Sequence, residues 1–532
     1  MMKKIVSTLL VVVMLLSTLV GCGSKSKGGS GTLTVGIPQN VNISDYDDNA
    51  MTKYVEESLG IQLEFQFFSG DPSEYSQQLA LMCSSNDKLP DVIWGFVGLS
   101  RRTMNQYGED GYFLDLTDLI DKHAPNYKKR LESVSEEVAN NIVSRGTNVT
   151  DGCFYGMPTY TESIVADYMQ NMMFINQDWL DAVNMKAPTN VDELYTVLKA
   201  FKTQNPNGVN GADEIPMFSS GIWNYVINAY VYYNQTNPFN VTDGKVWSPV
   251  RTDEYRQALI FLNKLCKEGL LSDLSLTATG ADAKQMISGN GKVAKVGIWS
   301  GHPLTWTTTS SEVLDQYTAL KELADETGKG GYGVQQANYQ VYGGFITKDC
   351  EDTETAMKFF DFFYLDETAI RLRHGEKGVD WEEGSGVGIY GHDAIIQTIN
   401  SQAYFDGNCT WGTTGTTWMT PENNLAIQTK GTGRNAECSR LCGESQEVMY
   451  GFKKPKEVAV NLIYSEKDET TKENLEGVYG EYVAEARALF ISGKMDPTND
   501  NEWKKYLDTL DKTGEPELIK AYQAAYKNTY KK

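Results

Sequence analysis

Aromatic rings set among short polar side chains are the feature of this sequence with the clearest chemical use. Trp94 closes an apolar run and Phe96 sits in the turn beyond it, while Trp223 lies in "SSGIWNYV". Trp299 and Trp306 bracket "SGHPLT", and "YQVYGG" carries Tyr339 and Tyr342. "TWGTTGTTWMTPENN" presents Trp411 and Trp418 among threonines and asparagines, which is poor core material. Such groupings do non-covalent chemistry: rings stack on apolar C–H faces while amides, hydroxyls and carboxylates hydrogen-bond to a ligand. Gln39, Asn40 and Asp71, each just after an apolar run, are candidates for the polar part. Burial is the competing reading for any single ring. Trp179 and Trp503 are assigned to cores, because each sits at helical spacing among apolar neighbours.

Covalent chemistry lacks its signatures. The chain contains no G-x-S-x-G elbow, no H-E-x-x-H helix and no G-x-x-x-x-G-K-[ST] loop. Glycoside hydrolysis needs two carboxylates about 5–10 Å apart, but among 70 acidic residues pairs such as Glu382-Glu383 arise by chance. The four histidines lie far from one another and from any cysteine pair, which argues against zinc. A formal net charge of −22 argues against nucleic acid and strongly anionic ligands. Of the eight cysteines, Cys83, Cys153, Cys266, Cys350 and Cys409 are scattered, while Cys438 and Cys442 could bridge locally or stay reduced.

The elements that must hold these residues alternate. "TLTVGI" and "IQLEFQFF" read as strands around the helical "AMTKYVEESLG", with Gly60 as its C-cap. The helix "SEYSQQLALMCSSN" and the buried strand "LPDVIWG" follow. The order β-α-β-α-β predicts a mostly parallel sheet under helices, with ligands bound beyond the carboxyl ends of the strands. The turns Pro38–Asn40, Ser69–Asp71 and Gly95–Leu99 are therefore the places to look. Thr189, with Asp192 three residues on, reads as the N-cap of a helix whose apolar face is Val191, Leu194, Leu198 and Phe201. "GKVAKVGIWSG" and "VYGGFITKD" read as strands, "TETAMKFFDFFY" as a buried helix, and the C-terminus as helical.

The N-terminus pairs Lys3 and Lys4 with sixteen uncharged residues, shorter than the ~20 needed to span a bilayer. It reads as a secretory signal, residues 1–21. Leu19-Val20-Gly21-Cys22 looks like a bacterial lipobox, with Cys22 the lipidated first residue of the mature chain. Residues 22–31 then form a flexible tether. Removing residues 1–21 takes away two lysines and no acid, so the mature chain is more acidic still.

Ten stretches now fall in register. They are the lipobox, "LPDVIWG", "EDGYFLDLTDLI", "DGCFYGMP", "FINQDWLD", "APTNVDEL", "DEIPM", "GGFITKD", "GEKGVDW" and the tail from "FISGKMDPTNDNEW" onward. With them the chain resembles the family 1 extracellular solute-binding proteins, the lipoprotein receptors of carbohydrate ABC importers. The resemblance implies an α/β, two-lobe periplasmic-binding-protein-like fold (type II), hinged, with a helical C-terminus. It implies a non-catalytic monomer on the extracytoplasmic face of the cell membrane, anchored by lipid (palmitate). The lobes would close on an oligosaccharide, which is passed to a permease pair. Lobe 1 would comprise residues 32–158 and 339–375, and lobe 2 residues 159–338 and 376–532. Some relatives carry a calcium loop at "QNPNGVNGADEIP", so Asn205, Asn207, the Gly211 carbonyl, Asp213 and Glu214 could hold a structural calcium ion. Val209, and Asn in place of Asp at position 205, depart from that pattern. No other cofactor is required. An exported glycoside hydrolase and a peptide receptor of another importer remain the alternatives.

Overall fold

The computed structural model describes residues 31–530 except 42, 149, 162–171, 210–213, 220, 235–236, 279, 302–310, 334–338, 386–393, 401–407, 413–414, 421–426, 430–439, 442–443, 446–452, 454 and 461. The signal segment 1–21, Cys22 and the tether up to residue 30 lie outside the described residues. So do Trp306, Gly211, Asp213, Cys438, Cys442 and the side chain of Tyr339.

In chain order the strands begin with β1 (Thr32–Pro38), β2 (Gln62–Phe68), β3 (Val92–Trp94), β4 (Met157–Thr161) and β5 (Met173–Asn176). Next come β6 (Ile215–Met217), β7 (Asn240–Thr242), β8 (Lys245–Trp247), β9 (Val296–Ser300) and β10 (Tyr317–Ala319). The last are β11 (Tyr339–Ile346), β12 (Trp381–Glu383), β13 (Ile396–Thr398), β14 (Thr417–Met419) and β15 (Ile427–Thr429). One sheet has the order β14-β4-β11-β3-β1-β2 and a second β10-β5-β9-β6, with a small β12-β13-β15 sheet and a β7-β8 hairpin beside them.

The first sheet starts as expected: β1 pairs in parallel with both β2 and β3. Val35, Ile37, Val92 and Ile93 are buried, as strands covered on both faces require. The helix Ala50–Leu59 crosses from β1 to β2; Asn49 caps its start and Gly60, at φ 67°, ends it. Helix Pro72–Ser85 leads on to β3, with Asp71 as its cap. Helix Val191–Thr203 starts one residue later than the sequence suggests. Asn190 Oδ1 accepts from the Glu193 N–H at 2.9 Å, and Glu193 reaches back to the Thr189 N–H at 2.8 Å. Asn190 therefore caps it in place of Thr189, because the box needs an acceptor paired with an acid three residues on, and Glu193 supplies it.

Among the described residues the two largest hydrophobic cores lie beneath the two large sheets, and a smaller one with Phe174, Val296 and Trp299 covers the other face of the second sheet. Of the two largest, one gathers β1–β3, the helix Thr353–Phe362 and the rings of Trp94, Trp411 and Trp418. The other gathers Met173, Ile175, Trp179 and the helix Asp253–Lys267 with Tyr479, Phe490, Trp503, Tyr506 and Tyr522 of the C-terminal helices. Those helices span Glu466–Ser492, Asp500–Lys512 and Glu515–Tyr530. The chain passes from β4 to β5 through 162–171 and returns into β11 through 334–338. A further passage runs through 430–439 to Arg440, which donates to the Leu314 and Tyr317 carbonyls in the second unit.

The expected lobe limits need correction at two points. β4 pairs with β11 through Thr161, so the first unit runs past 158. β14 pairs in parallel with β4, and Trp411 donates its indole N–H to Thr52 Oγ1 at 2.9 Å, so residues beyond 375 return to the first core. Gly415 makes this return possible. A Cβ there would lie 2.1 Å from the Trp94 ring, so only glycine lets the segment pack flat on that indole.

Candidate functional site: a crevice between two sets of strand ends

The carboxyl ends of β1, β2 and β3 share one edge of the first unit. β11 runs antiparallel to β3 with Gly344 opposite Trp94, so its N-terminus emerges at that edge, where β4 also ends. In the second unit β6 and β9 are parallel, and β5 begins beside the end of β9, with Met173 opposite Ser300. The connections from β4 to β5 and into β11 join these two edges in sequence, so both sets of strand ends lie at the start or finish of a chain passage between the units. That is where open α/β sheets bind ligands.

On the first unit the polar candidates divide. Gln39 is exposed, while its N–H is fixed on the Phe68 carbonyl at 2.9 Å. Asn40 braces the loop instead: its amide donates to the Gly412 carbonyl at 2.6 Å and its backbone N–H to the Tyr46 hydroxyl at 2.9 Å. The Asp71 carboxylate accepts from the Ser73 hydroxyl at 2.6 Å and from the Ser73 and Glu74 N–H groups, which hold its carboxyl below the usual range. It serves as a helix cap.

On the second unit Ser219 Oγ donates to the Ser300 carbonyl at 2.6 Å, tying the ends of β6 and β9 together. Trp223 opens the helix Trp223–Tyr230 half-buried, with the Arg487 guanidinium 5.0 Å from its ring centre. Arg487 in turn donates to the Tyr233 hydroxyl at 2.8 Å, so this buried cation is satisfied by aromatic groups. Tyr225 donates to the Lys321 carbonyl, and burial pushes the neighbouring Glu322 carboxyl up to about 8. Burial thus favours the protonated form of Glu322, just beyond the end of β10. Sequence reasoning passed over Ser219, Ser300 and Glu322. Glu322 sits in an ordinary "LKELAD" stretch whose burial is set by the fold.

The aromatic candidates are mostly core residues. Trp94 is fully buried with the Phe363 ring 4.0 Å away and Trp411 5.5 Å away. Phe96 is clamped between Phe68 and Tyr75, Trp418 packs on Tyr160 at 4.4 Å, and Trp299 packs on Phe174 at 4.5 Å. Rings without exposed surface offer a sugar no platform, so the expectation of cleft contacts from Trp94, Phe96, Trp299, Trp411 and Trp418 is corrected in this conformation. Tyr342 braces β11 through Gln340, which reaches the helix Glu136–Gly146. Its hydroxyl accepts from Gln340 Nε2 at 3.0 Å, Gln340 Oε1 accepts from Arg145 at 3.2 Å, and burial pushes the phenol up to about 12. Of the nominated tryptophans whose side chains are described, Trp223 is the one with exposed surface.

The loop after helix Val191–Thr203 fits a cation's chemistry in part. Asn205 adopts φ 49°, a left-handed turn that Asn tolerates. With its amide nitrogen turned inward it donates to Glu214 Oε1 at 2.7 Å, the Val209 carbonyl at 2.7 Å and Asn207 Oδ1 at 3.2 Å. Turned the other way, Asn205 would add a fourth oxygen to that set, and an all-oxygen set of mixed type suits calcium.

A family pattern described as "Bacterial extracellular solute-binding protein" matches residues 41–370, more than half of the chain. The fructooligosaccharide ABC transporter substrate-binding protein FusA of Streptococcus pneumoniae is 27% identical over 354 residues, 64% of this chain and 62% of that protein. The match thus spans under two-thirds of FusA's length. A solved structure of a FusA EF-hand mutant in complex with fructo-nystose has a TM-score of 0.73 at 21% identity, covering 93% of this chain and 99% of that one. Lipoprotein LipO of Bacillus subtilis is 22% identical over 530 residues, 95% of this chain and 94% of that protein. An HMO-binding solute-binding protein from Bifidobacterium longum infantis has a TM-score of 0.74 at 22% identity, covering 94% and 99% of the two chains. The chain belongs to the bacterial extracellular solute-binding protein family, and its fold is the two-lobe fold of these neighbours.

Proposed function

We propose that this member of the family binds an oligosaccharide between its lobes and delivers it unchanged to an ABC import permease, held to the membrane by lipid on Cys22. The observation that carries the reading is the convergence of both sets of strand ends on the segments that join the lobes. The names of FusA and of the Bifidobacterium protein support a carbohydrate ligand, and that of LipO supports the anchor. Lipid on Cys22 would keep the receptor beside its permease and raise the effective concentration without new contacts. Among the described residues no helix is long and apolar enough to cross a membrane. The loop at Asn205, Asn207, Val209 and Glu214 takes a structural calcium ion in this reading.

Thermal melting of protein lacking residues 1–22, screened against oligosaccharides, tests it. Saturating ligand stabilises by RT ln(1 + [L]/Kd), about 2.7 kcal/mol at a hundredfold excess over Kd. A rise with some oligosaccharide, recovered intact, is expected. Release of shorter sugars would instead make the protein a hydrolase, and a response to peptides alone a receptor of another importer.

A further inference from the structure

We propose that a groove along the outer edge of lobe 1 is a second carbohydrate surface, which takes the distal units of a neutral oligosaccharide whose other end lies in the crevice. The inference rests on the receptor reading above and adds to it a ligand class and a length requirement.

β2 is the last strand of its sheet, and its sequence places Leu63, Phe65 and Phe67 on one face. Along that face burial decreases steadily. Leu63 is buried, Phe65 is half-buried, and Phe67 is 45% exposed at the end nearest the crevice. The loop before helix Ala50–Leu59 forms the opposite wall, and together they enclose a groove of about 730 Å³. Its floor is a set of rings in fixed positions. Tyr46 lies 4.9 Å from Phe67 and 5.4 Å from Phe65, the two phenylalanine rings are near-parallel at 6.1 Å, and Phe65 abuts Trp411 edge-on at 5.7 Å. The Asn40 N–H donated to the Tyr46 hydroxyl holds this wall in register. A solvent-facing ring backed by other rings is a stacking platform that loses little conformational entropy on binding.

The rim decides the ligand's charge. Gln39, Ser44, Asp45, Asp47, Gln62 and Glu64 supply acceptors and amides for hydroxyl groups, and none of the lining residues among those described is Lys or Arg. The lysine within electrostatic reach of Asp45, Lys53, is already bound to Asp48, so the lining carboxylates leave a net negative rim that repels acidic sugars and accepts from neutral ones. Continuity decides the ligand's length. Gln39 lies both in the groove and at the end of β1, so the groove opens onto the crevice. From there to Gln62 the strand runs roughly 20 Å. A short sugar held wholly within the crevice would stop before Phe67, the first ring of the groove, and Phe65 beyond it.

The test is binding of the leaderless chain, of Phe67→Ala and of Phe67→Trp to an array of neutral and acidic glycans, followed by titration with inulin-type fructans or the best-binding neutral series in graded lengths. For wild type, affinity rises with length. Phe67→Ala weakens the longest glycans about five- to tenfold and the shortest less than twofold, and Phe67→Trp restores the gain. Phe67 is exposed, so both variants fold, and unchanged melting without ligand confirms it. Equal loss at all lengths, no loss, or a Phe67 contribution confined to acidic glycans overturns the groove while leaving the receptor reading intact. A wild type that binds no glycan at all overturns both.

Discussion

Arg102 of lobe 1 and Glu473 of lobe 2 meet Nη1 to Oε2 at 3.1 Å, and the same guanidinium donates to Thr470 Oγ1 at 3.2 Å. Arg102 belongs to the helix Arg101–Glu109, which follows the crevice end of β3, and Glu473 to the long helix Glu466–Ser492. The contact therefore exists only when the lobes are close. Glu469, one turn before Glu473, has its carboxyl raised by burial, an effect opposed by the nearby Arg101. The acidic start of one helix thus faces the basic start of another.

The first prediction concerns this latch. With 46% and 34% of their side chains exposed, the partners are well hydrated, and such pairs contribute about 0.2–1 kcal/mol. Arg102→Ala should shift the closure equilibrium toward the open form and weaken ligand binding about two- to fivefold. Wild type should open as salt is raised, since a Debye length of about 3 Å at 1 M screens the pair. Small-angle scattering without ligand, at 0.05 and 1 M salt, reads both effects. Equal radii of gyration for wild type and variant at low salt would remove the latch.

The second prediction is a pH profile with two opposed limbs. Burial pushes Glu322 up to about 8 from an ordinary 4.5, so the folded state holds a proton that the unfolded state releases, and stability falls as pH rises from 4.5 to 8. Burial, with Arg373 beside it, pushes His374 down to about 3 from an ordinary 6.5, so the unfolded state binds the extra proton and stability falls as pH drops from 6.5 to 3. Each limb has a slope of at most about 1.4 kcal/mol per pH unit, and the two cancel between 4.5 and 6.5. His374→Gln should turn that plateau into a continuous fall from 4.5 to 8. Glu322→Gln should abolish the loss above 6.5 and raise stability at pH 7.5 by about 1–3 kcal/mol. Denaturant titrations across pH 3–8 on the three proteins separate the limbs.

The parallel order of β1, β2 and β3 could be read from the sequence because it rests on local signals: apolar runs, a Gly60 C-cap and helical spacing between them. Trp411 could not, because its partner Thr52 is 359 residues away and its segment looks solvent-exposed until Gly415 lets it lie on Trp94. Phe67 was hidden for the opposite reason. "FQFF" closes a strand whose apolar residues do not show which of them lie open, and that emerges only from the sheet order, with β2 at the edge, and from the 45% exposure of Phe67. The polar candidates failed on competition. Asn40 and Asp71 follow strands as binding residues do, but their side chains satisfy nearby backbone groups first. Position after a strand thus marked the edge where β1, β2 and β3 end, while the fate of the side chains there depended on contacts no local pattern carries.

The third prediction concerns the loop at Asn205. Here the amide nitrogen of Asn205 supplies the positive character that Glu214 Oε1, the Val209 carbonyl and Asn207 Oδ1 share. Calcium would replace that weak donor with a full cation, and Asn205 would rotate to offer its oxygen. Calcium added to EGTA-treated protein should raise the melting temperature, and the rise should saturate with one ion per chain. Glu214→Gln removes the anionic oxygen among the described residues of this set and should abolish most of the rise. It should leave melting in EGTA nearly unchanged, since a Gln carbonyl still accepts from Asn205. Magnesium should do far less, because its near-ideal octahedral shell fits poorly to a loop held by mixed side-chain and backbone oxygens. An equal calcium effect in wild type and Glu214→Gln would place the ion elsewhere. No effect in wild type would mean that the Asn205 amide alone closes the loop.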